Sequence, residues 1–295
     1  MLGGMIMFGA VVGIFSGGVS SAVDTNKTNK YTYLSDTVVS GTNLSYAIDS
    51  QAGTGNYSVG YFCGGSVSGA AANYVIKYNY SSDTISAGTV LGLSRWLPAG
   101  VSNSTQGIIG GGYNGSTTVT YTDKYIYSGD TVSAGTVLGL ARYAPGASGT
   151  VTEGIFGGGG GAANTAYTDK YIYSGDTVSA GTVLGLARQR PASAGTTTEA
   201  IFGGGSTTTT VTYTDKYIYS GDTVSAGTVL GVARQPAAAG NSTVGIFAAG
   251  DTTGGGVGTN YTDKYTYSGD TDVAGTVLNY SSYGAAGASS APGGF

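Results

Sequence analysis

The string YTDKYIYSGDTVSAGTVLGLAR begins at Tyr121 and begins again, unchanged over 22 residues, at Tyr167. At Tyr213 it returns with Val232 in place of a leucine, and degenerate copies flank these three. The lysine of the repeat falls at Lys30, Lys77, Lys124, Lys170, Lys216 and Lys264, in steps of 47, 47, 46, 46 and 48. A second motif, typified by Gly154-Ile155-Phe156, ends at Phe15, Phe62, Ile109, Phe156, Phe202 and Phe247. The chain is therefore six copies of one module, and a module this short buries its apolar face only by stacking on its neighbours.

Each unit reads as strands separated by turns. Gly-Ile-Phe-Gly-Gly-Gly at 154–159 is an apolar strand running into glycines, which permit close backbone approach. Thr168 to Tyr173 follows with a period of two, placing Tyr171 and Tyr173 on one face and Lys170 and Ile172 on the other. Ser174-Gly175-Asp176-Thr177 supplies a turn. A third strand is expected over Thr182 to Ala187, ending at Arg188, and a small-residue loop over Pro191 to Gly195. No segment sustains a helical period, so the chain is all-β.

Six such units fit a six-bladed β-propeller, and a β-solenoid is the rival. The ends favour a closed ring. The N-terminus enters just ahead of a Gly-Ile-Phe strand, while Val277 to Tyr280 reproduces the third strand at the other end. N- and C-terminal strands would then share one blade and remove exposed sheet edges. The units run approximately over 13–59, 60–106, 107–153, 154–199, 200–244 and 245–295, with 1–12 completing the ring of a single domain. The charge-free segment 1–23 reads as a buried first strand, because it lacks the basic start of a signal peptide and its glycines oppose a spanning helix.

Composition narrows the chemistry. Glycine is 55 of 295 residues but proline only 5, which excludes collagen, and 24 tyrosines argue against a disordered linker. A net charge of -4 leaves little for a phosphate backbone, so no nucleic-acid partner is expected. Without histidine there is no imidazole base or ligand, and Cys63 alone makes neither a disulfide nor a thiolate metal site. Glu153 and Glu199 occupy equivalent positions in adjacent units, which makes a paired acid/base role improbable. No enzyme, cofactor or metal is expected.

The units resemble kelch repeats, in Phe156-Gly157-Gly158, Tyr171 or Tyr173, Asp176 and Arg188 with their equivalents; Val183 stands where that family has a tryptophan. The resemblance implies a propeller; the copper-dependent kelch enzymes need histidine ligands that are missing here. The Tyr-Thr-Asp-Lys-Tyr and Ser-Gly-Asp-Thr strings also resemble tandem repeats of structural proteins of tailed phages, which implies a tail, fibre or capsid-decorating role and a virion or extracellular location.

Twenty of the 28 charged residues recur in phase with the repeat. Charges used alike in every unit more often solve a packing problem than bind a ligand. The turn aspartates are expected to accept backbone N–H groups, and lysine or arginine to pair with a neighbouring blade at about 0 to 1 kcal/mol per exposed pair. The twelve Lys-Tyr-x-Tyr tyrosines are expected to pack between blades. Contacts with other virion or structural proteins, or with surface glycans, should then fall where units depart from the repeat: Ile48 and Ser282, where arginine is replaced, with Trp96, Tyr113, Tyr283 and the tail 283–295. The alternative is a multivalent glycan-binding propeller with one weak site per blade on loop tyrosines.

Overall fold

A computed structural model describes residues 11–290. It contains six four-stranded antiparallel sheets and two short two-stranded ribbons, with no helix among the described residues. In the fourth blade the strands are Gly146–Gly149, Glu153–Gly157, Thr168–Ile172 and Thr177–Gly181, from the axis outward. The innermost strands of the six blades, Ala52–Gly55, Ala99–Ser102, Gly146–Gly149, Ala192–Gly195, Gln235–Gly240 and Ala286–Ser289, each neighbour the next, and the last returns to the first. The molecule is a six-bladed β-propeller.

Ring closure joins the chain ends. Ala286–Ser289 pairs antiparallel with Val12–Ser16, with Ile14 opposite Ala288, and becomes the innermost strand of the blade holding Thr28–Thr32 and Thr37–Ser40. We number that closing blade one. The strand Val12–Ser16 is wholly buried, as expected for the N-terminal segment; residues 1–10 and 291–295 lie outside the described residues.

Two expectations about strands are corrected. Thr182 to Ala187 is not a strand, and Pro191 to Gly195 is not a loop: Thr177–Gly181 is the outermost strand and Ala192–Gly195 the innermost strand of the next blade. The β-branched Thr182 and Val183 suggested a ladder, but their segment crosses between blades. Two of its N–H groups are met by neighbouring carboxylates instead, Thr182 by Asp222 Oδ1 at 3.0 Å and Gly185 by Asp215 Oδ1 at 2.7 Å, and Leu184 donates to the Ala166 carbonyl at 2.9 Å. Small residues line the axis because neighbouring strands nearly touch there: a Cβ on Gly53 would sit 1.8 Å from the Gly287 carbonyl oxygen. Every sheet thus straddles two of the expected units, taking its innermost strand from the end of the unit before.

The core lies between blades. Phe156, Leu138, Tyr171 and Tyr173 pack against Val101 and Ile108 of the preceding blade, and equivalent clusters recur around the ring. Tyr31, Tyr78, Tyr125, Tyr171, Tyr217 and Tyr265 are completely enclosed, and each donates its hydroxyl to the turn aspartate five residues on. Burying one such ring contributes about 1.5–3 kcal/mol, so packing between blades carries more of the stability than any exposed charge pair. The aspartates hold left-handed turns, Asp176 with φ of 48°, a conformation that Asp tolerates. Each also accepts an N–H from the connection ahead of it, as Asp176 does from Thr136 at 3.0 Å.

Candidate functional site at the axial mouth

The repeated charges are internal fastenings. Arg95, Arg142, Arg188 and Arg234 pair with Asp123, Asp169, Asp215 and Asp263 at 2.6–2.8 Å. These pairs are enclosed rather than exposed, which corrects the expected energetics: a buried pair costs desolvation to form, and removing one partner strands the other. Each arginine also donates to a carbonyl of the blade it leads into, Arg188 to Phe202 at 2.8 Å, while its own carbonyl accepts a glycine N–H from the blade behind, Gly159 for Arg188 at 2.9 Å. Burial pulls the guanidinium pKa values down, and the paired aspartates oppose that shift. Tyr121, Tyr167 and Tyr213 lie over Arg95, Arg142 and Arg188.

The lysines divide. Lys77, Lys124 and Lys264 reach the turn aspartate of the next blade, Asp130, Asp176 and Asp36 respectively. Lys170 and Lys216 instead pair within their own blades, with Glu153 and Glu199 at 2.9 Å. That occupies both glutamates in structural pairs.

At one end of the axis the equivalent positions of the units carry different side chains. Asp49, Trp96, Tyr143, Gln189, Gln235 and Tyr283 are equivalent positions around this mouth, and five of the six make a short bridge to a residue beyond a glycine pair, such as Trp96 to Tyr113. Just inside them the backbone turns left-handed at Ser50, Leu97, Ala144, Arg190 and Gly284. Their amides and carbonyls are strung in a chain: Ser50 donates to Gly284, Leu97 to Ser50, Ala144 to Leu97 and Arg190 to Ala144, at 2.7–2.9 Å. The chain of four links stops at Arg190, because the unit leading into the last blade is one residue shorter there and Gln235 is followed directly by Pro236, which has no N–H.

Arg190, the one arginine outside the repeat, stands at that gap. It donates to Gln235 Oε1 at 3.0 Å, and Gln235 in turn donates to Ser206 at 3.0 Å. Burial lowers the Arg190 pKa, opposed by Asp49 and Asp251, and burial raises that of Asp49. The mouth leads into a narrow axial cavity of about 130 Å³ lined by the innermost strands. Among the described residues no group of three His, Cys, Asp or Glu side chains is placed to hold a metal ion, and no helix is long and apolar enough to cross a membrane.

Of the five predicted contact residues the structure brings three to this mouth. Trp96 and Tyr113 lie with ring centroids 5.8 Å apart, and Tyr283 bridges Val19; all three are half-buried. Ile48 and Ser282 are corrected: both are fully enclosed and meet no surface, because they fill the place of a buried arginine. Sequence reasoning missed Arg190, although its position outside the repeat was the available signal. The chain matches no protein-family model and no curated protein.

Proposed function

We propose that this protein is a non-enzymatic interaction propeller, serving as a tail, fibre or capsid-decorating component of a phage virion and meeting its partner at the axial mouth. One observation carries the reading: recurring charged and aromatic side chains are engaged between or within blades, whereas the six equivalent positions that ring the mouth hold Asp49, Trp96, Tyr143, Gln189, Gln235 and Tyr283, with little repetition. A surface that diversifies on a constant frame is what recognition needs. Resemblance of the repeated strings to phage structural repeats supplies the virion setting. The alternative of one glycan site per blade draws on loop tyrosines, of which Tyr74 and Tyr261 are exposed.

The test is mass spectrometry of purified particles, followed by incorporation of Trp96→Ala and Arg190→Ala proteins. Presence in wild-type particles with reduced incorporation of both variants is expected. Absence from particles, together with binding of a multimerised protein on a glycan array, would replace this reading with the lectin one.

A further inference from the structure

The seam where the chain ends meet carries a cleft of about 490 Å³, lined by Lys27, Thr28, Ser40, Gly41, Asn43, Asn279 and Tyr280. Its lining departs from the repeat in one chemical direction. Lys27 stands where the other five blades have Tyr74, Tyr121, Tyr167, Tyr213 and Tyr261. Ser40 replaces an alanine that is constant in those five, from Ala87 to Ala274, and Asn43 replaces the valine typified by Val137. From the other end of the chain, Asn279 takes the place of Gly139 and Tyr280 that of Leu140. The first unit also departs elsewhere, at Ser45 and Tyr46, but these five departures meet in one place, and four of them exchange an apolar, aromatic or absent side chain for a strongly polar one.

The groups are held but not exhausted. Tyr280 donates its hydroxyl to the Lys27 carbonyl at 2.5 Å, and Asn279 bonds Ser40 Oγ at 3.3 Å. The Lys27 ammonium lies 5.7 Å from the Tyr280 ring centre and is in no salt bridge among the described residues. Thr28 is 2% exposed, and its hydroxyl has no partner, as is also true of Thr262 in the last blade, whereas Thr122, Thr168 and Thr214 at the same position donate to a carbonyl 14 residues on. Two carboxamides and a serine offer both donors and acceptors, as hydroxyl-rich ligands require, and the lining's one charge is positive.

We propose that this seam cleft is a single-copy binding site for an acidic saccharide, with the ligand carboxylate at Lys27 and its hydroxyls at Asn43, Asn279 and Ser40. The site is independent of the scaffold role at the mouth, which would stand if no saccharide bound here.

Ligand-observed NMR titration of the full chain with D-glucuronate, D-glucose and inorganic phosphate tests it, using Lys27→Tyr and Asn43→Val. Both substitutions install the residue of the other five blades, so the fold should survive, and thermal unfolding checks that it does. Expected is binding of D-glucuronate over D-glucose, weakened at least 10-fold by each variant. No binding of glucuronate, equal binding of glucose, phosphate binding alone, or titrations unchanged in both folded variants would overturn the proposal.

Discussion

Blades three to six and blades one and two solve the same junction differently. In the four, a buried arginine meets an aspartate; at the junction leading into blade two the corresponding residues are Ile48 and Ile76, both in one apolar cluster, and at the seam they are Ser282 and Asn29. The backbone clasp persists in all six: Gly18 donates to Ile48 and Gly250 to Ser282, both at 2.8 Å, just as Gly159 does to Arg188. The ion pair is therefore a replaceable filling within a conserved hydrogen-bonded frame. Both partners change together because one charge left alone in the interior is what the fold cannot tolerate.

The strongest break of this comparison removes the seam altogether. Deleting 283–295 takes away Ala286–Ser289, strands the edge of Val12–Ser16, and should abolish cooperative unfolding by circular dichroism. Next, Arg188→Ile alone should destabilise the protein by about 3–5 kcal/mol, because it leaves Asp215 buried and unpaired. Adding Asp215→Ile should restore most of that loss, reproducing the junction of Ile48 and Ile76; denaturant titration of both single variants and the double variant closes the cycle. A double variant no more stable than the singles would show that blades three to six depend on the charges. Smaller still, Tyr171→Phe removes the hydroxyl bond to Asp176 and should cost about 0.5–1.5 kcal/mol in the same titration.

The last blade supplies a pH test of the same junction. Asp272 replaces the valine typified by Val178, and it shares the Gly231 N–H with Asp263, at 3.0 and 3.1 Å. Burial, and then the charge of Asp263, push Asp272 up to about 7. A folded-state pKa raised above the ordinary carboxylate value means that the native state holds the proton more tightly. Its stabilising contribution is complete at acid pH below that ordinary value and is lost as pH rises through about 7. Partial exposure of Asp272 makes this the smallest effect. Between pH 5 and 8 the melting temperature of the wild type should fall relative to that of Asp272→Val; parallel profiles would remove Asp272 as the cause.

Much of this was legible in the repeat. A period of 46–48 residues and turn aspartates at constant phase already implied six antiparallel modules; closure was expected from a third strand over Val277 to Tyr280, but that segment crosses between blades and the strand that closes the ring is Ala286–Ser289. The innermost strand was not legible: Ala192–Gly195 is too small and too flexible in sequence to signal a strand, and only crowding at the axis gives that composition a purpose. Thr182–Ala187 misled for the opposite reason, since its β-branched residues fit a strand but its backbone found carboxylates instead. Of the candidate site, Trp96, Tyr113 and Tyr283 could be picked out because they break the repeat. Ile48 and Ser282 broke it too, yet a difference in sequence does not say whether it faces water or fills a hole.

By itself, then, the sequence determined the number of modules, their all-β character and the closure of the ring, because periodicity and alternation are written along the chain. Tertiary structure decided which segment lines the axis, which charges are enclosed and where the departures meet. Those depend on contacts between residues a whole unit apart, or, at the seam, between the two ends of the chain.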